Sequence, residues 1–283
     1  MTSWIRVAPK KKVDEAVRPF LFKTGAAEFC DEFNQYFYTT LYAQSVRRPL
    51  AIYDQINPVS PTFAIIKETF CEVPGTSFVD SMMPNVTTLN SHDGTRVIPY
   101  VNSVAREELQ TSAAGILEWS PSMLKEISVI RTQNNLPDVF DVGVHMIQPQ
   151  NSRSRDNVAV VSAYIDAVRE IDTRLGSPSV LRVFVGAEQS ILLQEFMQQA
   201  KPSWKIYTIT QLNVNGFSVG SFERQQPRVR LQAYKEFITT LSCLQTSENL
   251  ITSLSNETGK FLFMTNTTMT YFRSMEATTF VAR

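Results

Sequence analysis

Apolar residues recur along the chain in two rhythms, and the change between them falls near Pro137. Phe29, Phe33, Phe37 and Leu41 stand four apart with Tyr36 beside them, the stripe of a helix that buries one face. Arg47, Arg48 and Pro49 close that helix, and Leu50-Ala-Ile-Tyr53 predicts a buried strand. Asn57-Pro58-Val-Ser-Pro61 is a turn-rich loop, followed by a short helix around Ile65, Ile66 and Phe70. Helices are predicted over 104–116 and 122–134. The first 22 residues read as an extended basic lead-in, and 74–94 carries no clear period.

After Pro137 the pattern becomes regular. Strands are predicted over 139–146, 181–187 and 204–209. Between them lie a helix with Val158, Val161, Ile165 and Val168 on one face, capped by Asp156, and a second helix over 191–200. Leu231, Tyr234, Ile238 and Leu241 mark a long third helix. Phe261-Leu-Phe-Met264 reads as a fourth strand, with a helix beginning near Thr267. Strands alternating with helices of this length imply right-handed crossovers and a parallel sheet covered on both faces. The expected fold class is therefore α/β, with a doubly wound parallel sheet in the C-terminal half. The expected division is an N-terminal α/β domain over 1–135 and a C-terminal Rossmann-like domain over 136–283, whose last helix is free to pack back on the first domain.

Composition narrows the function classes. Lys plus Arg number 27 and Asp plus Glu 27, so the chain lacks the positive excess of a duplex-DNA binder. No apolar run approaches the ~20 residues that span a bilayer, and the N-terminus lacks the apolar stretch of a secretory signal. Cys30, Cys71 and Cys243 are an odd, widely spaced set that suggests reduced thiols. The sequons at Asn85, Asn256 and Asn266 are then chance occurrences, and the expected location is the cytoplasm.

In an open parallel sheet, ligands bind where strand ends meet helix N-termini. His145 ends the first predicted strand and is followed by Arg153, Arg155 and Asp156. Glu188 ends the second, in a place suited to ribose hydroxyls or base edges. Asn213, Asn215, Gly216 and Ser218 follow the third, and then Arg224, Arg228 and Arg230. Asn266, Thr267 and Thr268 follow the predicted fourth, with Arg273 in the helix expected after it. Hydroxyls and free N–H groups at a helix N-terminus make an anion site, and arginine forks suit a pyrophosphate. Each group also has a plain structural reading: Thr267 and Thr268 as caps, the arginines as solvated loop charges, Glu188 as polar punctuation. Walker A, Gly-x-Gly-x-x-Gly and Asp-x-Asp are absent, and two His without clustered Cys do not suggest zinc. A diphosphate held by arginines and helix dipoles, without metal or other cofactor, is what remains.

These residues resemble a known family. Asp141-Val-Gly-Val-His145, Arg182-Val-Phe-Val-Gly-Ala-Glu188, and the stretch from Asn249-Leu-Ile-Thr-Ser-Leu through Phe261 to Thr268 and Arg273 resemble the three peptide regions of the fucosyltransferase-like superfamily. Gly25-Ala-Ala-Glu-Phe-Cys-Asp31-Glu32 looks like its early glycine-rich loop. Asp54-Gln-Ile-Asn57-Pro58-Val-Ser-Pro61 is similar to small glycosyltransferase-like proteins of large DNA viruses of algae, which would make the location a host cytoplasm. The resemblance implies a GT-B-like arrangement of two Rossmann-like domains with the nucleotide sugar between them. It also implies metal-independent, inverting transfer to an oligosaccharide or glycoprotein acceptor, with neither nucleic acid nor membrane as partner. Two departures are evident. The family's His-x-Arg-Arg motif would place an arginine at Ile147, and its acidic pair appears as Glu188-Gln189. The donor is thus open between GDP-fucose and UDP-xylose, the latter as in a chlorovirus-type xylosyltransferase. Inversion requires a carboxylate to take the acceptor's proton, and the candidates are Asp31, Glu32, Asp54 and Asp93. The alternatives are a catalytically inactive nucleotide-sugar or glycan-binding protein of the same fold, and a nucleic-acid-associated protein, which the zero net charge disfavours.

Overall fold

In a computed structural model the described residues are 19–23, 29–53, 65–79, 86–89, 96–147, 157–187, 189–209 and 226–275. The first sheet is built from β1 (Phe20–Lys23), β2 (Leu50–Tyr53), β3 (Thr76–Phe78) and β4 (Thr87–Leu89), in the order β3-β2-β1-β4. All its pairings are parallel, with Phe20 opposite both Leu50 and Thr87. Phe20, Leu21 and Phe22 are buried as a continuous run, as expected of a central strand covered on both faces. α1 (Phe29–Ser45) follows β1 and buries the predicted stripe Phe29, Phe33, Tyr36, Phe37 and Leu41. α2 (Ile65–Thr69) follows β2, and α3 (Val97–Ser103), α4 (Arg106–Ile116) and α5 (Pro121–Gln133) complete this half. α5 starts sharply because Ser120 Oγ accepts from Met123 N at 3.2 Å and Pro121 occupies the first turn.

The second sheet contains β5 (Phe140–Met146), β6 (Leu181–Ala187), β7 (Trp204–Tyr207), β8 (Ser247–Thr252) and β9 (Tyr271–Ser274), all parallel, in the order β7-β6-β5-β8-β9. The connecting helices are α6 (Asn157–Arg174), α7 (Ser190–Gln199), α8 (Pro227–Gln245) and α9 (Glu257–Thr265). One face buries Val142, Val144 and Met146 against Val161, Ile165 and Val168 of α6 and Leu192 and Phe196 of α7. The other face lies under α8, which approaches closely because two strand positions lack side chains. A Cβ on Gly143 would stand 2.5 Å from Ser247 Oγ, and one on Gly186 2.8 Å from Thr240 Cγ2.

The α/β fold class and the doubly wound second sheet are as expected. The reading of Phe261-Leu-Phe-Met264 as a strand is not: these residues lie in α9, and the fourth strand is β8, one element earlier. Four apolar residues carry no period of their own. What decides the helix is Asn256, whose Oδ1 accepts from Thr258 N at 2.8 Å and Gly259 N at 3.3 Å. The segment after Thr267 correspondingly enters β9 rather than a helix. β1, β3 and β4 had not been separated from their surroundings, being only three or four residues long.

A shared aromatic seam joins the two halves. Phe33 meets Phe70 edge-on at 4.9 Å, Phe70 stacks on Trp119 at 5.3 Å, and Phe33 and Trp119 both contact Phe261 of α9. Trp119 Nε1 donates to Gln245 Oε1 at the end of α8, 3.1 Å away. Among the described residues no helix is long and apolar enough to cross a membrane.

Candidate active site

From β5 the chain first builds outward to β6 and β7, then returns to the other side of β5 for β8 and β9. The strand order therefore reverses between β5 and β8, and a crevice opens at their carboxyl ends. His145 and Thr252 clasp across this point, with His145 Nδ1 3.0 Å from Thr252 Oγ1. Burial lowers the His145 pKa to about 4, so the imidazole is neutral near pH 7 and contributes hydrogen bonding rather than charge.

Beyond Thr252 the chain turns through Ser253, Leu254 and Ser255 into the capped N-terminus of α9. Ser253 Oγ and Ser255 Oγ are 2.7 Å apart, and Ser253 Oγ accepts from Ser255 N at 3.3 Å. Helix and turn touch backbone to backbone: a Cβ on Gly259 would lie 1.7 Å from Ser253 O. A cavity of ≈ 350 Å³ opens beside this turn, lined by Ile147, Val160, Ala163, Tyr164, Ser253, Ser255 and Met275. The other half of the molecule holds the helix start in place, since Asn34 Nδ2 of α1 donates to Glu257 O at 3.0 Å and Glu257 Oε2 at 2.8 Å.

The candidates named from the sequence are scattered relative to this crevice. His145 sits in it. Asp31 is on the first turn of α1, partly exposed, and accepts from Gln35 Nε2 at 3.1 Å. Glu32 is fully buried on the same turn. Asp54, Asp93, Arg153, Arg155, Glu188 and Arg224 lie outside the described residues. Asn266, Thr267 and Thr268 were expected at a strand end opening onto a helix, but they lie between the end of α9 and the start of β9, at the opposite rim of the sheet. Asn266 Nδ2 is committed there to Leu244 O and Ser247 O, at 3.2 and 3.0 Å. Arg273 is on the edge strand β9 rather than in a helix. Its Nη1 pairs with Glu170 Oε2 at 2.5 Å, near the far end of α6. The hydroxyls at the true strand end are those of Thr252, Ser253, Ser255 and Thr258, none of them among the site candidates named from the sequence, although Thr252 and Ser253 fall in the stretch that carries the family resemblance. Asn256-Glu257-Thr258, a cap residue followed by an acid in the first turn, was the available signal. Among the described residues no three His, Cys, Asp or Glu form a metal-binding group.

No family model and no curated protein matches the chain. Solved structures do. Fucosyltransferase NodZ from Bradyrhizobium is 11% identical with a TM-score of 0.54, covering 87% of this chain and 92% of that one. POFUT1 in complex with GDP-fucose is 10% identical with a TM-score of 0.55, covering 93% and 99%. A variant of Arabidopsis thaliana FUT1 in complex with GDP is 10% identical with a TM-score of 0.59, covering 93% and 72%. The fold is GT-B. The likeness extends over both sheets and most of the chain, so the β5–β8 crevice belongs to a two-sheet framework rather than to an isolated nucleotide-binding half.

Proposed function

We propose that the chain is a glycosyltransferase that moves a sugar from a nucleoside diphosphate donor to a glycan acceptor, with GDP-fucose the favoured donor and UDP-xylose the competitor. The observation that carries this is the cavity at the strand-order reversal of the second sheet, bordered by the seryl hydroxyls of the turn that leads into α9. Helix N-termini favour anions, and hydroxyls and N–H groups satisfy phosphate oxygens. Structures of this fold are described with GDP-fucose or GDP bound, which favours a guanine nucleotide.

In this reading the Ser253–Thr258 turn holds the donor's diphosphate, and the neutral His145 fixes Thr252 and thereby the start of that turn. Arg153, Arg155 and Glu188 keep their assignment to donor phosphate and ribose. The base is Asp31. It is more accessible than Glu32, and a proton acceptor must reach the acceptor hydroxyl. A direct displacement, in which the acceptor oxygen bonds the anomeric carbon as the diphosphate departs, inverts the configuration. The sequence holds no Asp-x-Asp, so the reaction is proposed to run without metal.

Thermal melts with GDP, GDP-fucose, UDP and UDP-xylose, each with and without EDTA, test the reading. One nucleotide series should stabilise the protein and chelator should leave the shift unchanged; no shift with any of them overturns the proposal. A second reading, a nucleotide-sugar-binding protein without turnover, is favoured by Ile147, an apolar residue lining the cavity where the resembling family carries an arginine. Binding without hydrolysis or transfer across a glycan acceptor panel would establish it.

A further inference from the structure

We infer that Arg230 of α8 supplies a further cation for the donor's diphosphate, in addition to the loop arginines Arg153 and Arg155. This rests on the donor-binding reading above. The described residues lining the cavity, Ile147, Val160, Ala163, Tyr164, Ser253, Ser255 and Met275, carry no positive charge. A diphosphate taken out of water is stabilised by each cation placed beside it.

Arg230 is 9% exposed, and it is the one arginine or lysine among the buried described residues. Its Nε has no hydrogen-bond acceptor, and no ion pair joins it to another described residue. A guanidinium nitrogen buried without an acceptor is costly, and an anion seated beside the group would offset that cost. Its two neighbours on the first turn of α8, Arg228 and Val229, are exposed, so Arg230 alone of this turn points inward.

The position follows from how α8 crosses the molecule. Leu244 lies over Gly143 in the middle of β5, and Thr240 over Gly186, next to the end of β6. α8 therefore climbs toward the carboxyl rim of the second sheet as its numbers fall. Ten residues further, Arg230 stands about 15 Å beyond Thr240 along the axis. That overhang reaches the start of α1, at the carboxyl rim of the first sheet: the Phe29 ring meets Tyr234 at 4.6 Å and Phe237 at 5.7 Å. Arg230 is one turn past Tyr234 on the same face. From Phe29 it is about 7 Å along α1 to Asn34, which holds the N-terminus of α9. Arg230 thus lies at the carboxyl-rim end of α8, where the two rims converge.

The test is calorimetric titration of wild type, Arg230→Gln and Arg230→Lys with GDP and UDP, and with guanosine and uridine, which lack phosphate. For whichever nucleotide binds wild type, Arg230→Gln should weaken the diphosphate at least tenfold and leave the nucleoside unchanged, with Arg230→Lys in between. Equal diphosphate affinity in wild type and Arg230→Gln overturns the assignment, and so does an equal loss for diphosphate and nucleoside, which marks a structural role. If Arg230→Gln does not fold, Arg230→Lys decides by the same comparison: a loss confined to the diphosphate supports the assignment, and unchanged affinity overturns it. Failure of wild type to bind either diphosphate overturns the donor reading itself, and this assignment with it.

Discussion

Burial at His145 determines what that side chain offers a ligand. With its only described partner the hydroxyl of Thr252, the imidazole stays neutral down to about pH 4, whereas in the unfolded chain it titrates near its ordinary value of 6.5. The unfolded state therefore takes up the proton first as pH falls. Its contribution to stability is present above pH 6.5 and is lost between there and pH 4. By pH 4.5 the loss is about 2–3 kcal/mol. Urea melts at pH 7 and pH 4.5 should show a His145→Gln variant losing less stability across that interval than wild type; equal losses would mean the ring is not buried neutral. The seryl pair next to it concerns binding instead. Replacing Ser253 and Ser255 together with alanine should raise the nucleoside diphosphate Kd about tenfold, or about 1.4 kcal/mol for two hydroxyl contacts, with little change in the melt. Titration calorimetry reads the first and a thermal melt the second.

At the level of elements, the junction between β8 and α9 has the closest approach of any described glycine. Helix propensity alone predicts that Gly259→Ala stabilises α9 by about 1 kcal/mol. A Cβ there would lie 1.7 Å from Ser253 O, and a backbone carbonyl cannot yield as a flexible side chain does. Gly259→Ala should therefore destabilise by about 3 kcal/mol, measured by denaturant melts, and weaken nucleotide binding because the turn itself moves. A neutral or stabilised variant would show that the turn relaxes freely. The same junction marks where the sequence was hard to read. β5, β6 and α1 were legible because long apolar runs and a four-residue stripe have only one good solution each. β8 begins with Ser247-Glu248-Asn249, of which two are buried although polar: Ser247 Oγ donates to Cys243 O at 3.0 Å, and Asn249 Nδ2 reaches across the sheet to Asp141 O at 2.6 Å. No local pattern announces such a strand. With β8 unseen, the apolar Phe261–Met264 segment took its place and the candidate hydroxyls moved one element too far, onto Asn266, Thr267 and Thr268. Arg230 had been noted as part of a basic cluster, but its burial depends on α8 overhanging the sheet, which sequence spacing does not convey.

Across the whole molecule, the two sheets are tied through one aromatic seam and one shared core rather than through a linker. Phe33 and Phe70 come from the first half and Phe261 from the second, and all three are at least 97% buried. Phe261→Ala should cost about 3–5 kcal/mol and lower a single unfolding transition seen by calorimetry. Two separated transitions would mean that the halves unfold independently and that the seam contributes little to their docking. The start of α1 also lies against α8, through Phe29 and Tyr234, and α1 holds the start of α9 through Asn34 and Glu257, which brings residues of both halves together. The central claim concerns where the nucleotide tail sits, and a crystal structure of the protein soaked with GDP addresses it most directly. The account predicts the diphosphate at the carboxyl ends of β5 and β8, within hydrogen-bond distance of the Ser253–Thr258 turn. Density for the nucleotide elsewhere, with that turn untouched, would contradict it.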